Sequence, residues 1–248
     1  MDNRVVIEHG ESPARQAYQA LSKVFTHQAQ GMKVLLKPNL GRIGEAKSGL
    51  CTHPDVIRGL IKFFQDQGAQ EIYVGDGALV GVNVWQAAEA AGILEVCQEL
   101  GATFLNLDEE GVKEIAIPNP VVVDKLRITS FLEKMDLIVS VPVIKTHMYT
   151  KVTLSIKNMK GCLYRKEKTK LHTLNKEVPD KSKGLVLDYG IADMARVLLP
   201  HYAVIDGIVG MEGFGPAVGT SKALDVVIAS QDALAADLVA LKLMGMDI

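Results

Sequence analysis

The segment KTHMYTKVTLSIKNMKGCLY (145 to 164) carries the densest set of side chains able to do chemistry. Lys145 and His147 lie two apart, on one side of an extended chain, and Lys151, Lys157 and Lys160 follow. A helix N-terminus ringed by lysines holds anions, and Thr150 or Thr153 is placed to cap a short helix carrying KNMKG. Histidine beside such an anion is a natural general acid or base. From Lys145 to Lys183 there are eleven Lys or Arg against three acids, a net of +8, while the remaining residues carry −10. A positive block inside an acidic protein is a local field that attracts anions, or else a solvated basic loop at about 160 to 183.

Other candidates appear just after apolar, strand-like runs. KVLLKPN (33 to 39) ends in Lys37, Pro38 and Asn39; EIYVGDG (71 to 77) ends in Gly75, Asp76 and Gly77; YAVIDG (202 to 207) ends in Asp206 and Gly207. In open α/β sheets, ligands bind outside the carboxyl ends of the strands, so these groups converge if the strands are parallel neighbours. An Asp in such a place is also a common turn former or helix cap. His53, His147 and His172 with Asp76, Asp188, Asp193, Asp206 or Glu212 offer nitrogen and oxygen to a metal, but HExxH and close Cys pairs are absent. Cys162, at the end of the lysine-rich stretch, is expected to be buried as a small apolar residue, and would be reactive only if those lysines surrounded it and lowered its thiol pKa.

Several chemistries are disfavoured by pattern. There is no GxxxxGK[ST] phosphate loop and no GxSxG, and GDGALVG (75 to 81) has its third glycine displaced from the dinucleotide spacing. Nucleic-acid binding would suit the basic block, yet aromatics are 5% of the chain and only Tyr149 and Tyr164 fall within it.

The elements that position these groups alternate between strand and helix. Strands are expected at 4–10, 33–39, 71–77, 103–107, 136–145, 202–210 and 223–230, with helices at 12–30, 54–67, 82–100 broken near Gly92, 184–199 and 232–245. Buried apolar strands separated by helices predict an α/β fold with a mostly parallel sheet covered by helices on both faces. EIAIP and KLRITS add a small β insertion near 112–130, within about 108–135. No linker divides the 248 residues, so one α/β domain over 1–248 is expected. The loop 41–51 and the stretch 164–183 have little apolar period and are expected to be mobile lids.

The apolar runs are shorter than the ~20 residues of a membrane span. The first residues lack the basic start and apolar run of a signal peptide, and three scattered cysteines (Cys51, Cys97, Cys162) make no disulfide framework. The expected setting is the cytoplasm.

KPNL (37 to 40), THPDVIRGLIKFFQDQGA (52 to 69), VGDG (74 to 77), DLIVSVPVIKTH (136 to 147), SIKNMKGC (155 to 162), VIDGIVGMEGFGP (204 to 216) and ASQDALAADLVALKLMG (229 to 245) together resemble the domain-of-unknown-function family 362. The resemblance spans nearly the whole chain. Members often carry a ferredoxin-like domain with Cys-rich cluster motifs; this chain has no complete iron–sulfur motif. The resemblance implies a site without naming a reaction or cofactor.

Three functions compete. The first is an enzyme binding a small carboxylate or phosphate at the C-terminal edge of the sheet. Its lysines Lys37, Lys145 and Lys157, with Asn39 and Asn158, hold the anion; His147 is the acid or base, with Lys145 next in line, and Asp76 or Asp206 orients it or binds a cation. The second is a non-catalytic module docking an acidic partner, such as a ferredoxin-like protein, through residues 145 to 183. The third is a metal-dependent racemase-like enzyme.

Overall fold

Strand β2 (Lys33–Pro38) shows how the pattern becomes layers. Successive strand side chains point to opposite faces. Val34 and Leu36 enter one hydrophobic core and Leu35 enters another. Lys37 follows Leu35 by two and so emerges at the strand's end on the second face, where it is 1% exposed.

The computed structural model describes residues 3–246. Around β2 stand β1 (Val5–His9), β3 (Glu71–Asp76), β4 (Thr103–Asn106), β7 (Leu137–Val141), β10 (Tyr202–Glu212) and β11 (Thr220–Ser230), in the order β1-β11-β10-β7-β2-β3-β4. The run β10-β7-β2-β3-β4 is parallel, and β11 pairs antiparallel with both β10 and β1. This is the mostly parallel α/β sheet expected. Helices α1 (Pro13–Val24), α2 (Pro54–Asp66), α3 (Val84–Ala90) and α4 (Ile93–Leu100) pack the first core. The other face is covered by α5 (Ser155–Asn158), α6 (Glu167–Lys170), α7 (Val186–Ala195) and α8 (Ala233–Leu243). The inserted strands β5 (Val112–Ala116) and β6 (Lys125–Thr129) form their own antiparallel pair.

Local signals explain most boundaries. Ser12, His53, Asn83 and Asp232 cap α1, α2, α3 and α8 through side-chain acceptors. Gly92, in the left-handed region at φ 74°, separates α3 from α4. Helix α1 stops at Val24 rather than running to residue 30, because the Tyr202 hydroxyl accepts the Thr26 N–H at 3.0 Å and meets His27 Nδ1 at 2.6 Å.

Two departures matter for the site. The expected strand 136–145 divides at Pro142: β7 stays in the sheet, while β8 (Val143–His147) pairs with the later part of β10 and with β9 (Lys151–Thr153). β8 therefore carries Lys145 and His147 over the sheet's carboxyl edge. Strand β10, expected to present Asp206 at an end, continues to Glu212 and buries it in mid-strand.

Candidate functional site

One open cleft, of about 650 Å³, lies at the carboxyl ends of β2, β3 and β8. Into it come Lys37, Asn39, Asp76, Lys145, His147, Lys157 and Asn158, seven of the eight residues expected from sequence. Lys160, Lys168 and His172 join them from the basic stretch.

Hydrogen bonds link these groups in series. Lys37 Nζ is 2.6 Å from Asp76 Oδ1 and donates to Asn158 Oδ1 at 3.1 Å. The same Asn158 oxygen accepts Asn39 Nδ2 at 3.0 Å, and Asn39 Oδ1 accepts Lys145 Nζ at 2.6 Å. Lys145 also donates to the Leu50 carbonyl at 2.8 Å. Asn158 Nδ2 donates to the Lys37 carbonyl and to Ser140 Oγ, so this amide is saturated and acts as the central brace. Lys145 and Thr153 are cross-strand partners in the β8/β9 pair, and Lys157 Nζ reaches Thr153 Oγ1 at 3.3 Å. One turn on, Lys160 Nζ meets His172 Nε2.

The ion balance is lopsided. Lys37 is paired with Asp76, and Lys168 with Asp108 at 2.6 Å. Among the described residues Lys145, Lys157 and Lys160 have no carboxylate partner. Burial accordingly pushes Lys145 down to about 8, Lys157 to about 7 and Lys160 to about 8, with neighbouring lysines adding to the effect on Lys157 and Lys160.

His147 differs from the expected near-neutral acid or base. Burial first, then Lys157, pushes its imidazolium down to about 3. Its Nδ1 accepts the backbone N–H groups of Tyr149 at 3.1 Å and Thr150 at 3.4 Å, so the neutral ring carries its proton on Nε2. At pH 7 His147 is a neutral hydrogen-bond donor.

Asp76 is likewise not a free base. Its oxygens accept Leu40 N–H and Gly77 N–H, each at 2.8 Å, besides meeting Lys37. Gly161 lets this pair form: a Cβ there would lie 2.0 Å from Asp76 Oδ1 and 2.7 Å from Lys37 Nζ. Asp206 lies outside the cleft lining. It accepts His53 N–H at 2.7 Å and Ile208 N–H at 2.9 Å, pinning the start of α2 to the sheet.

The basic stretch is not simply a solvated loop, because Lys160 and Lys168 are 8% and 3% exposed and face the cleft. Cys162 is fully buried and its thiol is pushed up to about 12 by burial, so it is unreactive. Cys51 and Cys97 are also buried and free. Among the described residues no three His, Cys, Asp or Glu side chains gather as metal ligands.

Asp108 and Asp237 were not singled out from sequence. Asp76 is the last residue of β3 and Asp108 lies two residues past β4, so the same strand-end rule reaches it. Asp237 lies inside α8 and accepts the Ser155 N–H at 2.7 Å and the Ile156 N–H at 3.1 Å, capping the turn that carries Lys157 and Asn158. Nothing in the local sequence marks that contact.

The family described as a domain of unknown function (DUF362) matches residues 34–242. The chain belongs to this DUF362 family. It is 26% identical over 218 residues to the thylakoid-associated protein sll1697 of Synechocystis sp., an alignment covering 88% of this chain and 64% of that protein. The fold is shared with the lactate racemase apoprotein of Thermoanaerobacterium thermosaccharolyticum, at TM-score 0.57 and 12% identity, over 98% of this chain and 58% of the racemase. This DUF362 chain thus spans less than two thirds of either protein. No helix among its described residues is long and apolar enough to cross a membrane.

Proposed function

We propose that this DUF362 protein is an enzyme that binds a small carboxylate or phosphate in the cleft at the carboxyl edge of its sheet. The observation that carries this reading is the trio of Lys145, Lys157 and Lys160, which converge without a carboxylate among the described residues to balance them. Buried ammonium groups without counter-ions are costly, and an anionic ligand removes that cost. Lys37, Asn39, Asp76 and Asn158 form the frame that fixes Lys145. His147 donates through Nε2 to a ligand oxygen.

The racemase with a similar fold acts, by its name, on a small hydroxycarboxylate, which is the same ligand class. Docking of an acidic protein fits less well, since Lys168 is buried against Asp108 and Lys170 pairs with Glu167 at 2.9 Å. A cytoplasmic setting is supported by three free thiols.

A ligand that binds only the folded form raises its melting temperature. Inorganic phosphate or lactate should therefore raise the Tm of the wild type, and Lys145→Met together with Lys160→Met should abolish the shift. No shift with either anion at about 10 mM, above the usual range of substrate KM, would refute the reading.

A further inference from the structure

The five cleft lysines are not equivalent. Lys37 and Lys168 are held in ion pairs, at 2.6 Å each. Lys145 donates to two well-placed oxygens, at 2.6 and 2.8 Å. Lys160 is engaged by the ring of His172. Lys157 alone has a single long contact, 3.3 Å to the Thr153 hydroxyl, while its position on α5 is fixed from behind by Asp237.

We propose that Lys157 is an amine nucleophile, whose Nζ condenses with the ketone carbon of a 2-oxo carboxylate while Lys145 and Lys160 hold the carboxylate. This rests on the reading of the cleft as a site for a small carboxylate and goes beyond it by naming a covalent step. Amines become nucleophilic when desolvation and neighbouring cations remove their proton, and both conditions hold at Lys157.

The step balances without any oxidant or reductant. The unprotonated Nζ adds to the carbonyl carbon, a C–N bond forms, and the oxygen takes a proton from the Lys160 ammonium to give a carbinolamine. The nitrogen gives one proton to water. Its lone pair then expels the hydroxyl group, which leaves as water on taking a second proton, and a protonated imine remains. Amine, ketone and one proton have become iminium and water.

The test is trapping on the intact protein with pyruvate and sodium cyanoborohydride, which adds hydride to the iminium carbon. Peptide mass spectrometry should place one 1-carboxyethyl group on Lys157. At neutral pH its yield should exceed that at Lys181 by on the order of a hundredfold, because Lys181 is exposed outside the cleft with no lysines placed to hold the carboxylate beside it. Lys181→Met should leave the Lys157 adduct unchanged, and Lys157→Arg should remove it. Site mapping on the wild type keeps the result readable even if that variant folds poorly.

Calorimetric titration with pyruvate alone, without the cyanoborohydride, runs alongside. Reversible binding with no adduct on Lys157 overturns the nucleophile and leaves the anion site standing. Equal labelling of Lys157 and Lys181 also overturns it. Absence of both binding and adduct overturns the two together.

Discussion

Lys37 and Lys157 lie in the same cleft, yet only Lys37 has a counter-ion among the described residues, so removing a charge at the two places should have different effects. Asp76→Ala strands the Lys37 ammonium at 1% exposure and should cost about 3–5 kcal/mol in urea unfolding. Lys157→Met removes a charge that has no acid partner and should leave the protein no less stable than wild type. His147 gives a second, spectroscopic contrast. With its imidazolium at about 3, its ring signals in a nitrogen–proton correlation spectrum should stay flat between about pH 5 and 8, where an ordinary histidine titrates. Phosphate should move that titration upward, because an anion favours the charged ring. Residue types at strand ends disclosed Lys37, Asn39, Asp76 and Lys145. The protonation state of His147 was not legible, since it depends on Lys157 and on two backbone N–H groups.

Helix α5 is a single turn, so its placement comes from outside itself. Asp237 on α8 accepts its first two N–H groups, and Asp237→Ala should cost about 1–3 kcal/mol while also weakening phosphate binding, because Lys157 and Asn158 lose their anchor. Asp232→Ala is the control. It removes the N-cap of α8, about 1 kcal/mol, and should leave phosphate affinity unchanged in calorimetric titration. The caps of α1, α2 and α8 were legible in Ser12, His53 and Asp232, because a cap acts within a few residues. The Asp237 contact joins residues 82 apart and leaves no local trace. Asp206 misled for a related reason: β10 runs on through Asp206-Gly207, since β11 and β8 pair with it beyond that point.

Across the molecule, the cleft lysines set the dependence of stability on pH. Lys145, Lys157 and Lys160 titrate at about 8, 7 and 8 in the folded chain against an ordinary 10.5. Between about pH 7 and 9 the unfolded chain therefore binds more protons and stability should rise with pH, while above about pH 9 the buried thiols Cys51, Cys97 and Cys162, pushed up to about 11, 12 and 12, oppose that rise. The urea midpoint of the free protein should be higher at about pH 9 than at pH 7, and the stabilisation given by phosphate should shrink over the same interval. Strand β11 has a different consequence. It sits inside the sheet, and Val5 pairs with Ser230, so on the ribosome the first strand waits on the order of ten seconds or more for its partner to be made. All five cleft lysines have been synthesised by residue 168, but the carboxylate that fixes Lys157 is residue 237. The cleft lysines are thus all translated before the residue that fixes one of them, and a nascent chain arrested before α8 would carry the cations without their anchor.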